Sequence, residues 1–240
     1  MIYIQSNNEK TLPHHFDVAC AMYGAIDRGL DYRLTSFDEV KSGKFDSLIK
    51  THSFIGSVEF MTEVFSRVGK SPRVPLNSDR PSETLSLSVA KLRVMEGETL
   101  FIKPKQIKLF TGCVFDTMFL HSLDPYPDDT EVLVYDTFKY PILTEWRLYV
   151  HNGKVVDARN YSGDFRIVPD WDLVEARLRG FKDFPVAYTA DIAVLEDPAG
   201  FHHNEIVEFN DMWAIGNYGI ENALYLRMLR NRYSEIMRGY

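Results

Sequence analysis

Cysteine is scarce in this chain of 240 residues: Cys20 and Cys113 are the whole complement, and their separation matches no metal-ligand spacing. A disulfide framework and a thiolate metal site are therefore excluded, and both thiols read as small buried hydrophobes. Long apolar runs are missing too; nothing approaches the ~18 consecutive residues of a membrane span. The start, Met1-Ile2-Tyr3-Ile4-Gln5-Ser6-Asn7, lacks the basic n-region and apolar core of a secretory leader and reads as a first strand. Unpaired cysteines and no leader together predict a cytoplasmic protein. Basic residues are not in excess. The net charge of −7 argues against a general nucleic-acid binder, which needs a cationic stripe to release counterions. No Walker loop, Rossmann glycine fingerprint, His-Glu-x-x-His or Gly-x-Ser-x-Gly occurs, so those chemistries lack support. Internal repeats and low-complexity segments are absent as well.

What is present is ordinary globular material. The apolar share is 45% and the charged share 25%, and sixteen Phe with thirteen Tyr supply a large core. The length suits two or three closely packed lobes. Strand-like residues 1–5, 32–37 and 47–49 alternate with helical patterns over 13–28 and 58–68, ended by Gly29 and Gly69, which predicts a small α/β lobe over residues 1–75. Pro72, Pro75 and Pro81 with Asn77, Ser78 and Asp79 form a loop or linker. From residue 85 the pattern turns β-rich. Residues 85–94 fit either helix or strand, 98–103 form a strand stopped by Pro104, 116–123 a short helix, and 131–135 an apolar strand ending in Asp136. The clearest hairpin joins 145–151 to 154–161 through Asn152-Gly153, a favoured two-residue turn. A short helix over 171–179, strands over 187–194 and 204–210, and an amphipathic helix over 220–238 complete the chain. Leu224, Leu226, Met228, Leu229 and Ile236 form the apolar stripe of that last helix.

Four groups of residues carry possible chemistry. Lys103, at the end of Phe101-Ile102-Lys103-Pro104, and Lys108, before Leu109-Phe110-Thr111-Gly112, are placed to neutralise phosphate; a surface lysine with a snorkelling stem fits the same pattern. Leu133-Val134-Tyr135-Asp136 offers backbone groups to an adenine edge and a carboxylate to a ribose, although most such strands are simply core. In Glu145-Trp146-Arg147 the Glu and Arg share one strand face, as a structural ion pair or as a guanidinium aimed at a phosphoryl or carboxylate oxygen. Glu208 and Asn210 also share a face, and Asp191 joins them if the two last strands pair. Such an oxygen set suits Mg²⁺, which is usually held by one or two carboxylates together with substrate phosphates; solvated strand-end residues are the plain alternative. The pairs His14-His15 and His202-His203 point to opposite faces when extended and chelate poorly.

Taken in order, Ile102-Lys103-Pro104, Glu145-Trp146-Arg147 with Tyr161, Asp191-Ile192-Ala193-Val194 and Glu208-Phe209-Asn210 resemble the ATP-grasp superfamily. Within it, the Lys-Pro pair, the second Lys before Phe-Thr-Gly, Glu-Trp-Arg and the tail Trp213-Ala214-Ile215-Gly216-Asn217-Tyr218-Gly219 are similar to the clade named for its signature arginine and lysine residues. The resemblance spans about residues 50–225. It implies an α/β and α+β fold: a small N-terminal α/β lobe (1–75), a central lobe (76–136) and a C-terminal lobe with the metal site (137–240), ATP lying between the antiparallel sheets of the last two. It implies further that Lys103 and Lys108 contact the ATP phosphates, and that Leu133, Val134 and Tyr135 line the adenine with Asp136 near the ribose. Asp191, Glu208 and Asn210 would hold Mg²⁺, and Arg147 would stabilise the transferring phosphoryl group. The span from Lys105 to Gly112 is shorter than the glycine-rich phosphate loop of many members. The implied activity is a carboxylate–amine ligase that forms an amide through an acyl-phosphate and releases ADP and phosphate. Its substrates would be small-molecule or peptide carboxylates and amines, with Tyr161, Asp164 and Arg166 placed by position at the border of the acceptor pocket. An ATP-binding protein without turnover and a small-molecule kinase are the rival readings.

Overall fold

The computed structural model describes residues 1–72, 78, 80–106 and 109–239. Lys108, Pro75, Asn77 and Asp79 lie outside the described residues, so the expectations placed on them are left there. The chain divides into two compact units, Met1–Asn77 with Ile142–Tyr240, and Ser78–Pro141. The first and third of the three lobes expected from sequence thus form one unit.

The first unit opens with β1 (Ile2–Gln5), α1 (Phe16–Asp27), β2 (Tyr32–Thr35), α2 (Phe37–Lys41), β3 (Ser53–Ile55) and α3 (Val58–Ser66). The strands form a parallel sheet in the order β2-β1-β3. Gly29 and Gly69, at φ +59° and +66°, end α1 and α3 as their sequence positions predicted. Two expectations fail here. Phe37 belongs to α2, because Ser36 and Glu39 form a capping box that starts a helix. Residues 47–49 are not a strand: the Leu48 and Ile49 amides both donate to the Phe45 carbonyl, a helical turn that buries Phe45 and Ile49 together.

The second unit contains β4 (Glu83–Ser86), α4 (Leu87–Met95), β5 (Leu100–Pro104), β6 (Cys113–Phe115), a 3₁₀ turn at Leu120–Leu123 and β7 (Glu131–Asp136). Its antiparallel sheet runs β4-β7-β5-β6. The ambiguity over 85–94 resolves at Ser86, whose hydroxyl accepts from the Val89 amide and turns strand into helix. Strand β5 ends at Pro104, which is itself its last residue. That proline pairs with Val132, while the β6 ladder ends at Ile102, so no donor is demanded of Pro104 on that side. Cys113 sits exposed on β6, against the expectation that both thiols are buried; Cys20 is buried in α1.

The chain then returns to the first unit through β8 (Ile142–His151), β9 (Lys154–Gly163), α5 (Trp171–Arg179), β10 (Ala187–Glu196), β11 (His202–Asp211) and α6 (Asn222–Arg238). These strands form a second antiparallel sheet, β11-β10-β8-β9. The β8–β9 turn uses Asn152 at φ +52° and Gly153 at φ +70°, both left-handed, as a tight hairpin requires. One face of the sheet buries Leu148, Val150, Ala190, Ile192, Ile206 and Phe209 against Val174 and Leu178 of α5. Helix α6 packs on α1, β3 and β10 and runs through two cores: Leu226, Met228 and Leu229 sit with Ile4, Val18 and Ala21, while Tyr233 and Ile236 sit with Phe54 and Phe60. Among the described residues no helix is long and apolar enough to cross a membrane.

Candidate active site

Alternation along β8, β10 and β11 sends Leu148, Ala190 and Phe209 to the α5 core and therefore turns Arg147, Asp191 and Glu208 to the opposite face. Register brings those three side by side: Glu208 faces Asp191 across β11–β10, and Asp191 faces Arg147 across β10–β8. A second row, Asn210–Thr189–Tyr149, lies directly beside the first. The pairing of the two last strands expected from sequence is therefore present, and Asp191, Glu208 and Asn210 share one face. A register shift after Asp191 breaks the alternation there, so the row sits next to a bulge.

Arg147 and Asp191 are both buried and are joined as a fork. Arg147 Nε donates to Asp191 Oδ1 at 2.8 Å and Nη2 donates to Oδ2 at 2.6 Å. Of the two readings of the shared Glu145/Arg147 face, the mutual ion pair is not formed: Glu145 accepts from the Tyr161 hydroxyl at 2.8 Å. Burial pushes the Asp191 carboxyl up to about 6, and the neighbouring Glu208 adds to the rise, against the opposing pull of Arg147. Arg147 is raised above its ordinary value by Asp191, which outweighs its own desolvation. Its third nitrogen, Nη1, has no hydrogen-bond partner among the described residues. The guanidinium lies 4.5 Å from the Tyr218 ring centroid, and Tyr218 stacks on Tyr161 at 5.5 Å. Asn210 Nδ2 donates to Glu208 Oε1 at 2.8 Å, holding the second carboxylate in place.

Sequence singled out the tail Trp213–Gly219 but not the residues that clamp it behind this row. Tyr149 donates from its hydroxyl to the carbonyls of Gly216 and Asn217, the Tyr225 hydroxyl donates to the Ile215 carbonyl, and the Asn217 amide donates to Asp17 of α1. These bonds pin the segment that carries Tyr218, whose φ of +45° is rare for a bulky side chain. Thr189 is fully buried within the second row, and its Oγ1 has no partner among the described residues. Period two alone marks Thr189 and Tyr149 as face-mates of Asp191 and Arg147; the clamping of a loop 68 residues away has no local signal. Asp164 and Arg166, expected near an acceptor, pair with each other at 2.6 Å on an exposed loop. His202 and His203 face Glu196 and Asp197.

In the unit Ser78–Pro141, Lys103 of β5 pairs with Leu133 of β7, and both are half-buried on one face. Gly112 lies over the lysine stem: a Cβ there would come within 3.0 Å of Lys103 Cβ. Val134 turns inward to the α4 core. The β4 ladder covers Leu133 and Val134 on one side and β5 covers them on the other, so their backbones are committed to the sheet. Only Tyr135 and Asp136 extend past β4. Arg80 stacks on Tyr135 and Phe138, and its Nη1 donates to the Asp136 carbonyl at 3.1 Å.

The profile of an ATP-grasp domain family, the second in the clade named for its signature arginine and lysine residues, matches residues 83–228, more than half of the chain. The chain belongs to that clade of ATP-grasp domains. No curated protein matches it. Among solved structures, the RimK domain protein ATP-grasp of Sphaerobacter thermophilus DSM 20745 is similar at TM-score 0.53 and 9% identity, covering 99% of this chain and 98% of that one. The ATP-grasp ligase PsnB complexed with a minimal precursor is similar at TM-score 0.50 and 13% identity, covering 96% of this chain and 98% of that one. At such identities the likeness establishes the fold, and it agrees with the mixed α/β and α+β architecture described above.

For this ATP-grasp domain the donor set can be tested against a hard divalent cation. Glu208 and Asn210 are a carboxylate and an amide side by side, donor types that suit such an ion, with the Asn210 Nδ2 turned to the carboxylate. Asp191 fits less directly, since both of its oxygens accept from Arg147. No cluster of three or more His, Cys, Asp or Glu capable of holding a metal occurs among the described residues.

Proposed function

We propose that this ATP-grasp domain is an Mg²⁺- and ATP-dependent carboxylate–amine ligase. The observation that carries the reading is the row Glu208–Asp191–Arg147, an oxygen-donor pair beside a fixed guanidinium on the polar face of one sheet. Glu208 and Asn210 would hold Mg²⁺, with Asp191 behind them. The ion supplies neutralisation of the triphosphate charge that builds up as the γ-phosphoryl group moves. Arg147 would keep two nitrogens on Asp191 and offer Nη1 to a phosphoryl oxygen. Lys103 and Lys108 would meet the nucleotide phosphates, Leu133, Val134 and Tyr135 the base, and Asp136 the ribose.

In that reaction a substrate carboxylate oxygen attacks the γ-phosphorus, the bond to the β-phosphate oxygen breaks, and ADP leaves. The amine then attacks the acyl-phosphate carbon, the carbon–oxygen bond to phosphate breaks, and the amine loses a proton. PsnB carries a precursor in its solved structure, so peptides stand beside amino acids as candidate substrates.

A second reading is ATP binding without turnover. It is favoured by the commitment of Arg147 to Asp191, which a purely structural ion pair would share. A thermal-shift assay with Mg²⁺-ATP, followed by product analysis over carboxylate and amine pairs, separates the two. Ligase activity gives ADP and phosphate only when both substrates are present, and Asn210→Ala loses that turnover without a change in melting temperature. AMP with pyrophosphate would overturn the acyl-phosphate route, and a Mg²⁺-ATP shift with no amine-dependent ADP would favour the second reading.

A further inference from the structure

Helices α1 and α6 meet closely at Gly24, where a Cβ would lie 2.2 Å from the Asn222 carbonyl oxygen. Nearby, the same two helices and the turn after α1 border a solvent-open cavity of about 380 Å³. Its apolar lining is Leu30, Ala223 and Leu226; its charged lining is Arg28, Arg227 and Arg230, with no carboxylate among the lining residues. In a chain of net charge −7, three cations gather here without a counter-ion, Arg28 and Arg227 exposed and Arg230 half-buried. None of the three guanidiniums forms an ion pair or hydrogen bond with another described residue. Arg28 directly follows α1, where a cation suits the negative end of the helix dipole. That account does not extend to Arg227 and Arg230, which stand three apart within α6, a spacing at which like charges destabilise a helix. Arg230 Nε is moreover shielded from solvent and unbonded among the described residues, the kind of donor that costs free energy unless an acceptor reaches it. The field of Arg227 also extends inward. Burial first and Arg227 second hold the His151 imidazole below its ordinary value, and His151 Nε2 lies 2.8 Å from Nδ2 of Asn231, another lining residue.

Planar guanidiniums match phosphate and carboxylate oxygens, and the volume lies within the range of small-molecule sites. We propose that this cavity binds a multiply charged organic oxyanion, its charged groups held by Arg28, Arg227 and Arg230 and its carbon body against Leu30, Ala223 and Leu226. The site is separate from the Glu208–Asp191–Arg147 row and does not rest on the ligase reading.

Full-length protein titrated by calorimetry with phenyl phosphate, citrate and inorganic phosphate tests the assignment, with sodium chloride at matched ionic strength as the control. Saturable binding of phenyl phosphate or citrate is expected, tighter than that of inorganic phosphate and accompanied by a shift of the His151 imidazole resonances. Arg227→Gln with Arg230→Gln should weaken it at least tenfold and leave the Mg²⁺-ATP thermal shift unchanged; Arg28→Gln alone should weaken it less. Binding no stronger than the chloride control, or equal binding in the double variant, would overturn the proposal.

Discussion

Asp191 holds the most consequential position for a single residue. Its carboxyl is desolvated, faces a second carboxylate in Glu208, and is clamped by one guanidinium, so two influences oppose ionisation and one favours it. With the folded value near 6 and the unfolded value near 3.8, the folded state binds the extra proton. This contribution to stability is complete below the unfolded value and is lost as pH rises through 6. Asp191→Asn cannot titrate. In denaturant melts, the stability of the natural protein relative to that variant should therefore be greater at pH 4.5 than at pH 7, by about 2 kcal/mol. An unchanged difference would mean that Arg147 wins and that Asp191 is ionised throughout.

At the scale of elements, what was legible in sequence is what local chemistry dictates. Asn152-Gly153 specified the β8–β9 turn because few other pairs tolerate two left-handed residues in succession. Trp171–Arg179 matched its helix end to end, with Asp170 accepting from the Leu173 amide as its cap. Helix α2 had an equally local signal in Ser36 and Glu39, hidden because the mixed polar and apolar stretch from Tyr32 to Phe37 reads as one strand. Gly24 behaves differently. Within a helix pattern it looks like a weak point, yet its role is to admit the backbone of α6. Ala at position 24 would gain about 1 kcal/mol of helix propensity. It would also place a methyl 2.2 Å from a carbonyl oxygen that belongs to backbone and cannot rotate away. The clash should win, and Gly24→Ala is expected to lower stability by about 1–3 kcal/mol in a urea melt.

For the molecule as a whole, the decisive feature is that residues 1–77 and 142–240 form a single unit. Tyr233 and Ile236 of α6 complete the core around Phe54, Phe60 and Phe65, and the Tyr233 hydroxyl donates to the Ile49 carbonyl at 2.7 Å. Arg232, itself buried, is fixed by Asp211 and Glu235 at the same junction. A chain that stops before Asn222 loses one wall of two cores. Such a truncation should give no cooperative melt by circular dichroism, whereas removal of Gly239 and Tyr240 alone should leave the melt intact.

The sequence by itself determined the family, most element positions and which residues share a face within each strand, because side chains alternate with period two, while cross-strand register assembled the polar row. Only the tertiary structure decided how those residues are engaged. Arg147 is joined to Asp191, 44 residues away, and not to Glu145, two residues away, because cross-strand register brings the guanidinium to the nearer buried carboxylate. The three arginines between α1 and α6 are likewise unremarkable when read along the chain, since Arg28 and Arg227 become neighbours only when Gly24 lets two distant helices touch.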